Sequence, residues 1–535
     1  MPPTTANYVQ RAGRAGRRTD SAALVLTYAQ RRSHDLSRFQ DPKAMVAGEV
    51  RSPYVPLGND RIARRHAHSV ALAAFFRHAR ELTGETWSTA GEFFLGSPAP
   101  AARVWPYLSP VPSSVTESLR RVLPADVQRQ IGVETGAWAE ELCALLEDVR
   151  AELAKDVDAF EERRQQAFAD RKGHLVQLYE RTINTLTRRP LIGLLANRNV
   201  LPKYGFPTDT VELRTIYSGD PVGRKLELSR DLSAAIYEYA PGAEVVAGGK
   251  LWTSGGVYRL PDRELIGNYY AVCTHCFLYR ESPDDTLDPV CPSCGAVQTG
   301  ARRSYWRPEF GFVALRQVRN PGMIAPQRSW HGAAYVLSRG AEEFDSIWSL
   351  ANGSKVVTWA GERGRLIAIS EGRNGAGFRI CEWCGWGTAA GGRVPGSHPH
   401  LLKDGECTGP LAWRSLAHPY ETDLLEISFD SIPGLSGMTV GEWRAVLYAL
   451  LEGASDSLDI SRDDMDGTLY PKAGRKISLV LFDTVPGGAG GALRIARSFP
   501  LVLETALGRM ARCECGEETS CYGCLRNFRN QAFHE

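Results

Sequence analysis

The sequence predicts a multidomain α+β protein, on three observations. Residues 114 to 190 are charged and amphipathic, with Leu, Val and Ala at helical spacing. At Leu201-Pro-Lys-Tyr-Gly-Phe-Pro207 the texture changes to short strand-like runs punctuated by Gly and Pro, continuing to about residue 430. Eleven of the twelve cysteines fall in three clusters, the mark of small modules held by metal.

Bulk properties bound the rest. A chain of 535 residues is long enough for several domains. A formal net charge of +2 excludes a protein that is basic all over. The distribution is uneven, because residues 1–80 carry 13 Arg and 1 Lys against 5 acidic residues. That segment suits phosphate contacts at one end of the chain. No stretch approaches the 18 or so apolar residues of a membrane span, and no signal-peptide core is found. Paired cysteines without a secretory signal point to a cytoplasmic protein that binds metal rather than one that forms disulfides.

Taken in order, the first element is Tyr8-Val-Gln-Arg-Ala-Gly-Arg-Ala-Gly-Arg-Arg18. Gln10, Arg11, Gly13, Arg14, Gly16 and Arg17 fit the pattern Q-R-x-G-R-x-G-R. Guanidinium groups stay charged and fork onto phosphate oxygens, and the glycines let backbone approach a nucleotide. The pattern resembles motif VI of superfamily 2 helicases. The resemblance assigns Arg14 and Arg17 a catalytic role at the γ-phosphate, and Gln10, Arg11, Gly13 and Gly16 to nucleotide binding. No G-x-x-x-x-G-K-[ST] loop and no Asp-Glu box for magnesium occur in these residues. Ser21–Tyr28 reads as a buried strand closing such a domain, although alone it cannot complete a sheet. Residues from Asn59 to about Phe76 turn helical, and Cys143 lies on an apolar helical pattern as a small core residue.

Cys273-x2-Cys276 and Cys291-x2-Cys294 are two knuckles that aim four thiolates at one point. Four thiolates make a closed, structural zinc site. Cys381-x2-Cys384 and Cys407 supply three ligands, and His398 or His400 supplies the fourth. Cys513, Cys515, Cys521 and Cys524 place four thiols within twelve residues. Zinc is expected throughout, two to three ions per chain, with an iron–sulfur cluster the rival in the four-cysteine sets.

In the last region, Leu424–Phe429 and Ile477–Phe482 read as strands, and 440–453 and 491–508 as helices. Asp459, Asp463, Asp464 and Asp466 lack the bidentate Glu of a calcium loop and read as a polar turn. Leu481-Phe-Asp-Thr-Val-Pro-Gly-Gly-Ala-Gly-Gly491 joins strand to helix through a glycine-rich turn. Gly488, Gly490 and Gly491 could present N–H groups to a DNA phosphate. A plain tight turn is the competing reading.

Four stretches beyond motif VI resemble MrfA-type helicases: Leu201–Pro207, Tyr239-Ala-Pro-Gly-Ala-Glu-Val245, Asp483–Gly490 and the cluster Cys513–Cys524. The resemblance implies a partial second RecA-like helicase domain over 1–58 and a helical domain over 59–200. It further implies a β-rich region with two zinc-ribbon modules over 201–425 and a C-terminal α/β zinc-binding domain over 426–535. Within that group the chain is similar to the DrmB-type subunits of DISARM phage defence, which work beside a separate helicase subunit. The implied function is a DNA-binding accessory subunit. Its partner would carry the ATP-binding core, so that ATP and Mg2+ act only with the partner. Alternatives are a zinc scaffold with a vestigial motif VI and a fragment of a single-chain repair helicase.

Overall fold

The computed structural model describes residues 5–15, 24–29, 33–47, 59–202, 210–298, 302–324, 326–327, 332–372, 375–389, 396–429, 432, 435–472, 476–485, 487–516, 519–527 and 530. The start is helical at Thr5–Ala12, Ser33–Gln40 and Pro42–Ala47. The strand expected over 21–28 does not form in its described part. Residues 24–29 make no ladder, and Leu24 and Leu26 are about nine-tenths exposed (90% and 92%). A lone extended segment has no neighbour to receive its backbone hydrogen bonds, and so no reason to bury its side chains.

The helical region follows the sequence closely. Asn59 caps the helix Asp60–Thr83, its side chain accepting from the N–H groups of Arg61 and Ile62 at 3.1 and 3.2 Å. Gly84 ends it in the left-handed conformation, φ 73°. Ala63, Ala67, Ala71 and Ala79 form a buried small-residue face that lets neighbouring helices approach closely. The amphipathic stretch 114–190 divides into four helices: Ser113–Val122, Ala125–Ile131, Ala137–Ala169 and Gly173–Thr187. The breaks fall at Pro124, at the left-handed Gly132 and Gly136, and just before Gly173. Trp138, Leu142, Leu146 and Val149 of the longest helix pack with Leu72, Phe75, Phe93 and Phe94 in one core. Cys143 is half-buried against that core.

Among the described residues the β-rich region holds two large sheets and a short hairpin, His398–Pro399 with Glu406–Cys407. The smaller has strand order 229–231, 210–214, 312–314, 250–257, 244–247. The larger has eleven strands, and its centre is the antiparallel pair Lys355–Ser370 and Leu411–Ser428. Leu411–Ser428 runs across the boundary expected between residues 425 and 426. Its end pairs with Lys476–Asp483, Leu424 lying opposite Phe482. The C-terminal region therefore completes a sheet begun earlier rather than folding around one of its own. Its helix Val440–Leu458 starts in a capping box formed by Thr439 and Glu442. It packs on Phe499–Ala511 so tightly that a Cβ at Gly453 would lie 2.6 Å from the Val502 carbonyl oxygen. No helix among the described residues is long and apolar enough to cross a membrane.

His68 ties the helical core to its exit. Its Nδ1 lies 3.1 Å from the Val200 carbonyl oxygen, inside the core. Burial, opposed by that carbonyl, lowers His68 from 6.5 to about 4. The native imidazole stays neutral where the unfolded chain would take up a proton. Stability from this group is therefore present above pH ~6.5 and is lost as pH falls toward 4. Wild type should lose about 2–3 kcal/mol more between pH 7 and 4.5 than His68→Gln, in urea unfolding followed by circular dichroism. Equal pH slopes for the two proteins would contradict this assignment.

Candidate metal centres and the glycine-rich turn

Three groups of ligand atoms converge, each with every donor within 4.8 Å of the others. A zinc tetrahedron of sulfurs has edges of about 3.8 Å, from Zn–S bonds near 2.3 Å. In the first group Cys273–Cys294 and Cys276–Cys291 are both separated by 3.6 Å at sulfur. In the third, Cys513–Cys521 is 3.5 Å and Cys515–Cys524 is 3.7 Å. The non-standard C-x-C spacing therefore still closes a four-sulfur set.

The second group resolves the choice of histidine. Cys381 and Cys407 sulfurs are 3.9 Å apart, and Cys384 Sγ lies 3.5 Å from His398 Nε2. His398 is buried and its ring stacks on Trp386 at 4.8 Å. His400 faces elsewhere. Its Nδ1 accepts from the N–H groups of Leu402 and Lys403 at 3.2 and 3.3 Å, capping the loop of the short hairpin. The four-ligand set is Cys381, Cys384, His398 and Cys407.

Local sequence explains how the knuckles form. The residue straight after the second cysteine is left-handed in three of them: Phe277 (φ 65°), Gly295 (φ 72°) and Gly385 (φ 79°). This turns the chain so that backbone N–H groups reach sulfur, as from His275 to Cys273 and from Cys384 to Cys381, both at 3.4 Å. Gln298 Nε2 adds a bond of 3.2 Å to Cys273. Gly409 leaves room at the second site, where a Cβ would lie 2.7 Å from Cys381 Sγ. Burial pushes the Cys276 and Cys384 thiols up to about 12. A cation must therefore displace their protons, which makes occupancy pH-dependent. All three sets are closed by protein ligands and leave no position for substrate.

The glycine-rich turn is built differently from a phosphate loop. Asp483, at the end of its strand, accepts from the N–H groups of Ala489, Gly491 and Ala492, the last two at 3.1 and 2.9 Å. Asp423 accepts from Gly490 at 3.0 Å. The expectation that Gly490 and Gly491 offer N–H groups to DNA thus meets N–H groups already bonded to carboxylates. Gly488 is left-handed at φ 68°, and a Cβ there would lie 2.1 Å from the Asp423 carboxylate. The carbonyls of Gly487 and Gly488 accept from Arg65, and that of Ala489 from Asn59. Arg61 pairs with both Asp423 and Glu343. Burial pushes Asp423 up to about 7, with Arg61 pulling down and Asp483 pushing up. Sequence reasoning missed this buried knot. Its signal was Arg61 and Arg65, four residues apart among alanines that face a core.

Of the motif VI positions, Gln10 and Arg11 end the helix Thr5–Ala12, and Gly13 and Arg14 form the turn after it, all exposed. Gly16 and Arg17 lie outside the described residues.

Comparison with known proteins agrees with the third metal centre. Residues 446–525 match the MrfA Zn-binding domain. The chain is 26% identical over 599 aligned residues to Druantia protein DruE of Escherichia coli (strain UMEA 4076-1), covering 99% of this chain and 32% of DruE. It thus spans about a third of the length of that relative. Among solved structures, the DUF1998 helicase MrfA bound to DNA overlaps 58% of this chain and 31% of its own, with 11% identity and a TM-score of 0.27. MrfA bound to DNA and AMPPNP overlaps 56% and 27%, with 12% identity and a TM-score of 0.22.

Three converged sets predict three zinc ions per chain in elemental analysis, with iron absent. His398→Ala should lose one of the three, while His400→Ala should keep all of them. Because protons compete for the thiolates, zinc should leave the wild-type protein as pH is lowered. Loss of zinc from His400→Ala instead would reverse the ligand assignment.

Proposed function

We propose that this chain is the zinc-bearing, DNA-engaging part of a superfamily 2-type helicase of a phage-defence system, related to DruE of Druantia. The carrying observation is an alignment with DruE that runs through 99% of the chain, joined by a zinc domain of MrfA type at 446–525. In this reading the zinc modules are rigid supports, and phosphate contacts come from the basic N-terminal segment. Arg14 and Arg17 act as arginine fingers at the γ-phosphate of an ATP-binding core that lies outside these 535 residues, with Mg2+ held by that core.

A partner helicase subunit supplies that core in the two-chain form of the reading, the arrangement expected of DISARM-type accessory subunits. The one-third coverage of DruE favours a second form, in which the core belongs to the same longer polypeptide. The chemistry asked of Arg14 is the same in both.

The chain by itself should show no ATPase above background, and its DNA binding should weaken steeply as salt rises, because counterion release dominates phosphate contacts. Combined with its motor core, Arg14→Ala should lower ATP turnover by about a thousandfold or more, with zinc content and assembly unchanged. Arg14→Lys should rescue poorly, since ammonium cannot fork across two oxygens. Wild-type turnover in an assembled Arg14→Ala, Arg17→Ala complex would sink the finger role and favour a scaffold.

A further inference from the structure

Where the helical region meets the β-rich region, a cavity of about 520 Å³ opens, lined by five arginines and two glutamates. Three of the arginines have carboxylate partners. Arg189 bonds Glu309 at 2.6 Å, Arg198 is held between Glu152 and Glu421 at 2.7 and 2.8 Å, and Arg365 lies 3.7 Å from Glu152.

Arg263 and Arg307 differ. Among the described residues neither has a carboxylate within ion-pair distance, and the Nε of each is buried with no hydrogen-bond partner. Glu309 acts on both only from beyond ion-pair distance, and Tyr305 lies against Arg307, so a closer anion in the cavity would still improve the charge balance. The Arg263 guanidinium lies over the Phe310 ring at 4.7 Å. That stack fixes its plane and leaves its N–H edge for an acceptor in the cavity. Burial, reinforced by Arg189, holds Arg263 below its ordinary range despite Glu309. On another wall His418 and Tyr420 stack on each other at 5.6 Å with their rings 16° from parallel, forming an aromatic side of the cavity.

We propose that this cavity binds one nucleotide unit, its phosphate forked by Arg263 and Arg307 and its base set against the aromatic wall. The volume suits a single nucleotide and is too small for a duplex, falling within the few hundred to about 1,000 Å³ of small-ligand sites. Two sources share this chemistry: a free mononucleotide, and one unit of single-stranded DNA threaded past the seam. The site goes beyond the proposed function, which places phosphate contacts at the basic N-terminal segment.

The test uses the full chain with three probes: inorganic phosphate, thymidine monophosphate and a short oligothymidylate. Binding is read by calorimetry in wild type and Arg263→Gln, with zinc content and melting temperature confirming the fold. Arg263→Gln should weaken binding by about tenfold or more, the loss of a charge-assisted contact. Weakened monophosphate binding identifies a free nucleotide. Weakened binding of the oligonucleotide alone identifies a DNA strand. Equal affinity in a folded Arg263→Gln, or no binding of any probe to wild type, overturns the site. If Arg263→Gln fails to fold, Arg263→Lys, which keeps the charge but cannot fork across two oxygens, takes its place, and unchanged affinity there overturns the proposal equally. Loss of the ATPase prediction for Arg14 would leave this result standing, so the two readings fail separately.

Discussion

The ion pair between Arg61 and Asp423 is the contact on which the arrangement of regions depends. Arg61 belongs to the first long helix of the helical region, and Asp423 to the central strand of the large sheet. Asp423 also takes the N–H of Gly490, and Asp483 takes three more from the same turn. One buried set of charges therefore joins the helical region, the sheet and the C-terminal region. Two carboxylates side by side in a low-dielectric site repel each other. They persist because Arg61 and Arg65 supply charge, and because the glycine backbone comes close enough to donate. Removing one member of such a set leaves a buried charge uncompensated, at a cost of roughly 3–5 kcal/mol. The glycines are required for the same reason, since a side chain at Gly488 would occupy the space of the Asp423 carboxylate.

The zinc modules solve a different problem. Around Cys273, Cys276 and Cys291 the buried apolar cluster consists of the cysteines themselves, with Leu278, Cys294 and Ala296 beside them. So few side chains cannot outweigh the entropy of ordering the loops. Metal bonds replace the missing core, and for that reason the ligands were legible from spacing alone. Spacing could not separate His398 from His400, two residues apart. What separates them is strand pairing. His398 lies opposite Cys407 in the short hairpin, which brings it to the sulfurs, while His400 sits at the loop and caps it.

Helices were legible wherever punctuation agreed with periodicity. Asn59 and Gly84 bound one helix as caps, and Thr439 with Glu442 opens another. Sheet membership was not legible. Leu411–Ser428 continues from a zinc knuckle at one end to the C-terminal region at the other, pairing with Phe378–Cys381, Lys355–Ser370 and Lys476–Asp483. Such pairings are long-range and leave no local trace in composition. A boundary drawn where texture changes therefore falls inside a strand. The isolated run after motif VI shows the converse. Its residues have strand propensity, but without a neighbouring strand propensity alone does not bury Leu24 or Leu26.

Two features of this chain present themselves as anion sites, and the structure separates them by charge balance. The glycine-rich turn has the sequence of a phosphate cradle, yet its own aspartates already fill its N–H groups. An external phosphate there would have to displace buried carboxylates from donors they hold at about 3 Å. The cavity at the seam has no motif, because Arg189, Arg198, Arg263, Arg307 and Arg365 are drawn from segments far apart in sequence. It nonetheless holds more arginine than carboxylate on its walls, and two of its guanidinium groups lie beyond ion-pair distance of any described carboxylate. Backbone donors can be satisfied by any nearby acceptor, whereas a guanidinium that no carboxylate reaches at ion-pair distance keeps room for an anion. In a protein read as acting on nucleic acid, the deficit in carboxylate is therefore the stronger pointer to a phosphate than the glycines that resemble a phosphate loop.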